Sequence, residues 1–213
     1  MGFPFQSTGA SDKLNRMNVA VSFLARNKAN PFLDQLVIGD EKWILYNNVQ
    51  RKRTWKKVDE SAESVAKAGL HPMKILLCVW WDCREIIHFE LRGETITADK
   101  YCKQLTRLDV AIRERRPVLA NQKGIIFHHD NARPHVGQQT LRKLQELQWE
   151  ILQHPPYSPD IAPSVFHLFP SLQNSLNSKN LMSEESVKNH LTNFFQEKPS
   201  SFFKNGIDKL VDR

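Results

Sequence analysis

The octapeptide Lys74–Trp81, KILLCVWW, is apolar at every position after the first. A strand with one wet face alternates apolar and polar residues, whereas an unbroken run is what a strand covered on both faces requires. The run is also far short of the roughly 18 apolar residues of a membrane span. A chain carrying such a strand must therefore supply helices for two faces of a sheet.

The remaining pattern meets that demand. Helical spacing runs over residues 14–25, with Leu14, Met17, Val21 and Leu24 on one face, and Pro31 ends it. Strands are expected at residues 35–39 and 43–47, a further one at 52–57, and a long loop at 58–71. Residues 86–91 should pair beside the octapeptide as a hairpin, and Thr97 should cap a helix reaching Arg115. A buried strand at 124–128, an amphipathic helix at 136–147 and a short strand at 149–152 follow. The proline-rich stretch 154–163 excludes regular structure. Helices are expected at residues 166–176 and 184–196. This order predicts an α/β fold, a mixed sheet flanked by helices, with residues 1–13 as a loose end and 14–213 as one domain.

Composition narrows the partners. Thirty Lys+Arg against 23 Asp+Glu give a formal charge of +7, which favours a polyanion such as nucleic acid. The three cysteines, Cys78, Cys83 and Cys102, form no CxxC pair and no even framework, as expected of a reducing, intracellular compartment. No apolar run suits a membrane, so no membrane partner is expected.

Two aspartates stand where an α/β sheet presents its site residues. Asp40 follows Leu36-Val37-Ile38-Gly39, at or just past the end of a strand, and Asp130 follows Ile125-Ile126-Phe127-His128-His129. Each, taken alone, also reads as a turn residue. Together they suit a hard divalent cation, since Mg²⁺ takes oxygen ligands and keeps several waters. A two-ion nuclease site needs a further carboxylate to hold the ions about 4 Å apart. His128, His129 and His135 match no zinc spacing and have no cysteine nearby. Arg51, Lys52, Arg53, Lys56 and Lys57 bracket Trp55, which suits either a phosphate backbone or a charged edge strand.

The blocks IGDEKWILY, HHDNARPH and HPPYSPDIAPS, with HPMKILLCVWWD and GETITADKY between them, resemble the signature segments of mariner-family transposases in order and spacing, over roughly residues 20–213. The resemblance implies a ribonuclease-H-like, integrase-like fold. It implies DNA strand cleavage and transfer with two Mg²⁺ or Mn²⁺ ions and no small-molecule cofactor, a DNA partner, action as a homodimer, and a nuclear location. Of the family's three metal-binding aspartates, the first two match Asp40 and Asp130. The third follows the proline-rich loop, and Val165 stands there, in APSVFHLF where APSDFHLF is expected. Valine has no ligand atom, so the resemblance implies an impaired enzyme with a weakened second ion. The alternative is a catalytically inactive relic that binds DNA or a protein. Asp160, five residues before Val165, belongs to the YSPD turn and is not expected to substitute. Lys42, Arg133 and His135, beside the aspartates, and Arg51, Lys52 and Arg53 are candidate DNA contacts. The family's helix-turn-helix DNA-binding region is not expected within this sequence.

Overall fold

In the computed structural model, which describes residues 9–48 and 72–213, KILLCVWW is strand β2 (Lys74–Trp81) of a five-stranded sheet. Its companions are β1 (Leu36–Leu45), β3 (Ile86–Arg92), β4 (Ile126–His128) and β5 (Glu150–Ile151), in the order β3-β2-β1-β4-β5. β3, β2 and β1 are antiparallel neighbours, while β4 and β5 add on in parallel. This is the mixed, helix-flanked sheet expected from the sequence.

The continuous apolar run serves two cores. Ile75, Leu77, Val79 and Trp81 pack with Leu36, Ile38 and Ile44 beneath α5 (Phe169–Leu176), α6 (Glu184–Gln196) and α7 (Ser200–Asp208). Leu76, Cys78 and Trp80 face the other way, with Val37 and Phe127, against α2 (Ala98–Arg115) and α4 (Gln138–Glu146). Burying each large side chain contributes roughly 1.5–3 kcal/mol, so a polar residue on either face of β2 would remove a substantial share of the stability. Thr97 caps α2 as expected, its hydroxyl accepting from the Lys100 amide.

Several boundaries differ from expectation. β1 is a single strand through residues 36–45, because its polar middle pairs with β2 as regularly as its apolar ends do. The helix expected at 136–147 is two: α3 (Arg133–Val136) and α4 are separated by Gly137, whose ψ of 144° is extended. α7 had no counterpart in the sequence reading. The first helix, α1, is longer than its apolar spacing, spanning Ala10–Ala29. The strand expected at 52–57 and the loop at 58–71 lie outside the described residues.

Candidate active site

The register between β1 and β4 brings the two aspartates together. Leu36, Val37 and Ile38 pair in parallel with Ile126, Phe127 and His128. Asp40 and Asp130 each lie two residues beyond the last rung, Ile38–His128. Strand side chains alternate with a period of two, so Asp40 returns to the face of Ile38. Past His128 the chain leaves the sheet, and the notch it opens is a cleft of about 400 Å³ lined by Asp40, Asp130, His154, Tyr157, Ala162 and Val165. Asp40 itself is inside β1, opposite Val79 of β2, not at a strand end. The edge inferred from the sequence is that of β4 beside it.

The electrostatics of the two carboxylates differ. Half-buried Asp40 is held well above the usual carboxylate range, first by burial and then by the charge of neighbouring Glu41; its Oδ1 accepts from the Glu41 amide at 2.8 Å. For Asp130, burial acts upward, but hydrogen bonds from His135 and from the Ala132 amide (2.9 Å) outweigh it and bring the pKa down to about 2.

His135 joins the two sides. Its Nδ1 is 2.6 Å from Asp130 Oδ1 and its Nε2 is 3.3 Å from Glu41 Oε1. Burial disfavours its charge, but the two carboxylates prevail and raise its pKa to about 10. It is therefore an imidazolium donating from both nitrogens, and it ties β1 to the loop after β4. With 2% exposure and both nitrogens engaged, His135 has nothing to offer a phosphate, which corrects its reading as a DNA contact.

The turn that carries Val165 is anchored from β2. Trp81 Nε1 donates to Ser164 Oγ at 2.9 Å within the core, anchoring a π-helical turn, Ser164–Leu168. Val165, next in sequence, is 39% exposed and lines the cleft. Asp160 is turned elsewhere: its carboxylate is gripped by both terminal nitrogens of Arg16 on α1, and its carbonyl accepts from Arg213 at 3.2 Å.

Asp40 and Asp130 are hard oxygen donors in one cleft, and a divalent cation bound by them would favour the ionised form of Asp40 that burial, first, and the neighbouring carboxylates disfavour. The donor set thus fits Mg²⁺ or Mn²⁺. Among the described residues no group of three or more His, Cys, Asp and Glu is placed to hold a metal.

Lys42 follows Asp40 on the same face of β1, half-buried, with its ammonium 5.8 Å from the Phe169 ring centroid. Arg133 opens α3 and is exposed. Arg51, Lys52 and Arg53 lie outside the described residues. Sequence reasoning missed Glu41, whose place on the opposite face from Asp40 makes it a partner for His135. It also missed the supports around the histidine pair. His128 and His129 are both buried; His129 Nδ1 lies 3.1 Å from the Tyr101 hydroxyl, and His128 Nε2 lies 3.2 Å from His154 Nδ1. The Asn131 amide then donates to the His154 carbonyl at 2.6 Å, fastening the proline-rich loop to the Asp130 loop.

The chain is similar in sequence and fold to known proteins. The family described as "Transposase (partial DDE domain)" matches residues 45–122. The chain is 40% identical over 205 residues to the human histone-lysine N-methyltransferase SETMAR, covering 95% of this chain and 30% of that protein. It is 40% identical over 201 residues to the mariner Mos1 transposase of Drosophila mauritiana, covering 93% of this chain and 58% of that one. Among solved structures, the Mos1 paired-end complex with Mn superposes with a TM-score of 0.94 at 38% identity, over 100% of this chain and 63% of that chain. The Mos1 transposase catalytic domain with raltegravir and Mg superposes with a TM-score of 0.83 at 35% identity, over 97% and 93%. The sheet and its cleft are those of a ribonuclease-H-like, integrase-type domain. The chain belongs to the mariner transposase family and corresponds to its catalytic domain. It spans less than two thirds of the length of the curated relatives it matches.

Proposed function

We propose that the chain is the phosphoryl-transfer domain of a mariner-type transposase, acting on DNA in the nucleus, and that Val165 leaves it impaired. The observation that carries this reading is that Asp40 and Asp130, at matching positions past the parallel β1–β4 rungs, line one cleft together with Val165. Family membership, the net charge of +7 and Mos1 structures described with Mg, with Mn and as paired-end complexes support it.

Asp40 and Asp130 hold the metal, and the imidazolium of His135 keeps the Asp130 carboxylate oriented. A bound Mg²⁺ or Mn²⁺ supplies Lewis-acid polarisation of the phosphate and activation of water. Lys42 and Arg133, flanking the aspartates, meet the scissile phosphate, and Arg51, Lys52 and Arg53 meet the backbone further out. Valine at 165 withdraws one carboxylate, so a second ion is weakly held. Misplacement of a reacting group by about 1 Å can cost on the order of 100-fold. The same valine favours a second reading, a domain that binds DNA without cutting it.

The experiment is Mn²⁺-dependent cleavage of a duplex carrying a transposon end, by the parent chain, Asp40→Asn and Val165→Asp. Nicking by the parent that is lost in Asp40→Asn and raised about 100-fold in Val165→Asp is expected. Salt-dependent DNA binding with no nicking by the parent selects the second reading. Equal, robust activity in the parent and Val165→Asp sinks the impairment.

A further inference from the structure

A second cleft adjoins the metal cleft across His154. It measures about 360 Å³ and shares His154, Asn131 and Pro156 with its neighbour, so one layer of side chains divides the two. Val19 of α1, Leu141 of α4, Ile151 of β5 and Pro155 add apolar walls. Helix α1 is held against this edge of the protein at two points, Arg26 pairing with Glu150 and Arg16 with Asp160. Residues 151–156, between those two anchors in sequence, all line the cleft.

Charge narrows what the cleft can hold. Among the described residues no Lys, Arg, Asp or Glu lines it, in a chain of net charge +7. A phosphate or a carboxylate finds no counter-charge there, and a cation finds no acid. The lining offers apolar walls and a few neutral hydrogen-bonding groups, the carboxamides of Asn15, Asn131 and Gln153 and the imidazoles of His129 and His154. Small-molecule sites are built in this way, at volumes of about 300–1,000 Å³.

Both imidazoles are set as donors. His128 is buried, its Nδ1 has no partner among the described residues, and its Nε2 lies 3.2 Å from His154 Nδ1. A stranded N–H is rarer in a protein interior than an unused acceptor, so the His128 proton sits on Nε2 and is donated to His154. Burial disfavours charge on His154, which leaves its single proton on Nε2. Tyr101 imposes the same order on His129. Its buried hydroxyl lies 3.1 Å from His129 Nδ1 and has no other partner among the described residues, so it donates and the His129 proton is on Nε2. Neither Nε2–H is taken up by a hydrogen bond within the described residues.

A flat, neutral ligand with apolar faces and acceptor atoms along its edge suits this lining, and a nucleobase has those properties. The source is the strand next door: a base beside a phosphate at Asp40 and Asp130 has only the His154 layer to pass once it leaves its stack. We propose that the cleft receives one unstacked nucleobase of the DNA strand bound at the Asp40–Asp130 cleft, with the Nε2–H groups of His129 and His154 donating to its edge. The proposal rests on the reading of the metal cleft as a DNA site.

Fluorescence anisotropy tests it, with Ca²⁺ in place of Mn²⁺ and duplexes carrying a transposon end, either fully paired or mispaired at one position at a time around the terminus. Unstacking costs least for a mispaired base, so the parent should prefer one mispaired position by about 10-fold over the paired duplex. A fluorescent purine analogue at that position, whose emission rises when it leaves the stack, should brighten on binding. Leu141→Trp/Ile151→Trp fills the cleft, and neither position lines the metal cleft. This variant should lose the preference and keep its Mn²⁺ affinity and circular dichroism. The preference and the brightening are both read on the parent, so the test does not depend on the variant folding. Equal binding of all duplexes by the parent, an analogue that stays dark, or a preference that survives in the folded variant overturns the base site and leaves the DNA reading standing. Failure to bind any duplex overturns that reading and the base site with it.

Discussion

Trp81 Nε1 donates to Ser164 Oγ at 2.9 Å, and this buried bond ties the end of β2 to the turn that presents Val165. Ser164 has 0% exposure, so no water can replace its hydroxyl. Ser164→Ala would strand the indole N–H in the core, and an unsatisfied buried donor costs about 1–3 kcal/mol. The expected outcome is a lower urea midpoint of that size. Because the partners act as one unit, adding Trp81→Phe to Ser164→Ala should cost less than the sum of the two single changes. Strict additivity would show that the bond contributes nothing.

The donor set predicts metal stoichiometry. Calorimetric titration with Mn²⁺ should find one site in the parent chain, two in Val165→Asp and none in Asp40→Asn. Asp40 keeps its proton well above the usual carboxylate range, so metal uptake should release protons. The apparent enthalpy should therefore change with the ionisation enthalpy of the buffer, more strongly at lower pH. Free Mn²⁺ at 100 times the dissociation constant should stabilise the parent by about 2.7 kcal/mol, and a chelator should remove that gain. Two tight sites in the parent would contradict the role given to Val165.

A pH profile reports on His135. Its pKa rises from 6.5 in the unfolded chain to about 10 in the folded one. A group raised in this way contributes stability that is fully present below the unfolded value and is lost as pH rises through the folded value. Metal-free protein should thus lose on the order of 2–3 kcal/mol between neutral pH and the far side of that upper value, the magnitude of hydrogen bonds to charged groups. Urea unfolding across this range measures it. His135→Gln should be less stable at neutral pH and nearly flat over the same interval; a parallel slope in both proteins would assign the loss to other groups.

Sequence reasoning reached the sheet because β2 has to satisfy two cores, and that demand is written into seven consecutive residues. It singled out Asp40 and Asp130 because each follows an apolar strand core, and the structure lines one cleft with both. It split β1 because the polar residues there serve the cleft and the His135 bridge, so the apolar signal lapses where the ladder continues. It assigned His135 to DNA because a histidine near a carboxylate reads the same from sequence whether it faces solvent or is buried between two acids. It missed α7 because Gly206 interrupts the helical pattern; in the structure the glycine gives room to the His167 ring, whose Cδ2 would lie 2.4 Å from an added Cβ. Leu14, Met17, Val21 and Leu24 of α1 carry a helix period that is legible in sequence, but the period does not say which side the body takes, and the structure leaves all four exposed.

Gly39 supports the last expectation. It precedes Asp40 in β1, and the Trp80 indole crosses the strand directly above it: an added Cβ would sit 2.7 Å from Trp80 Nε1, 2.8 Å from its Cδ1 and 3.2 Å from Phe127 Cζ. All three atoms belong to rings packed in the α2-side core, with Trp80 and Phe127 at 0% exposure, so neither ring has space to retreat. Alanine would relieve the entropic penalty of glycine in a strand, worth roughly 0.5–1 kcal/mol. Overpacking of a filled core costs typically 1–3 kcal/mol, and the approach here is tighter than a side-chain adjustment can absorb, so overpacking wins. Gly39→Ala should therefore lower stability by about 1–2 kcal/mol net, measured by urea denaturation. A shift of β1 away from the two rings would displace Asp40, so Mn²⁺ affinity should fall with the stability. A stable Gly39→Ala protein that binds Mn²⁺ like the parent would mean that the Trp80 ring moves instead.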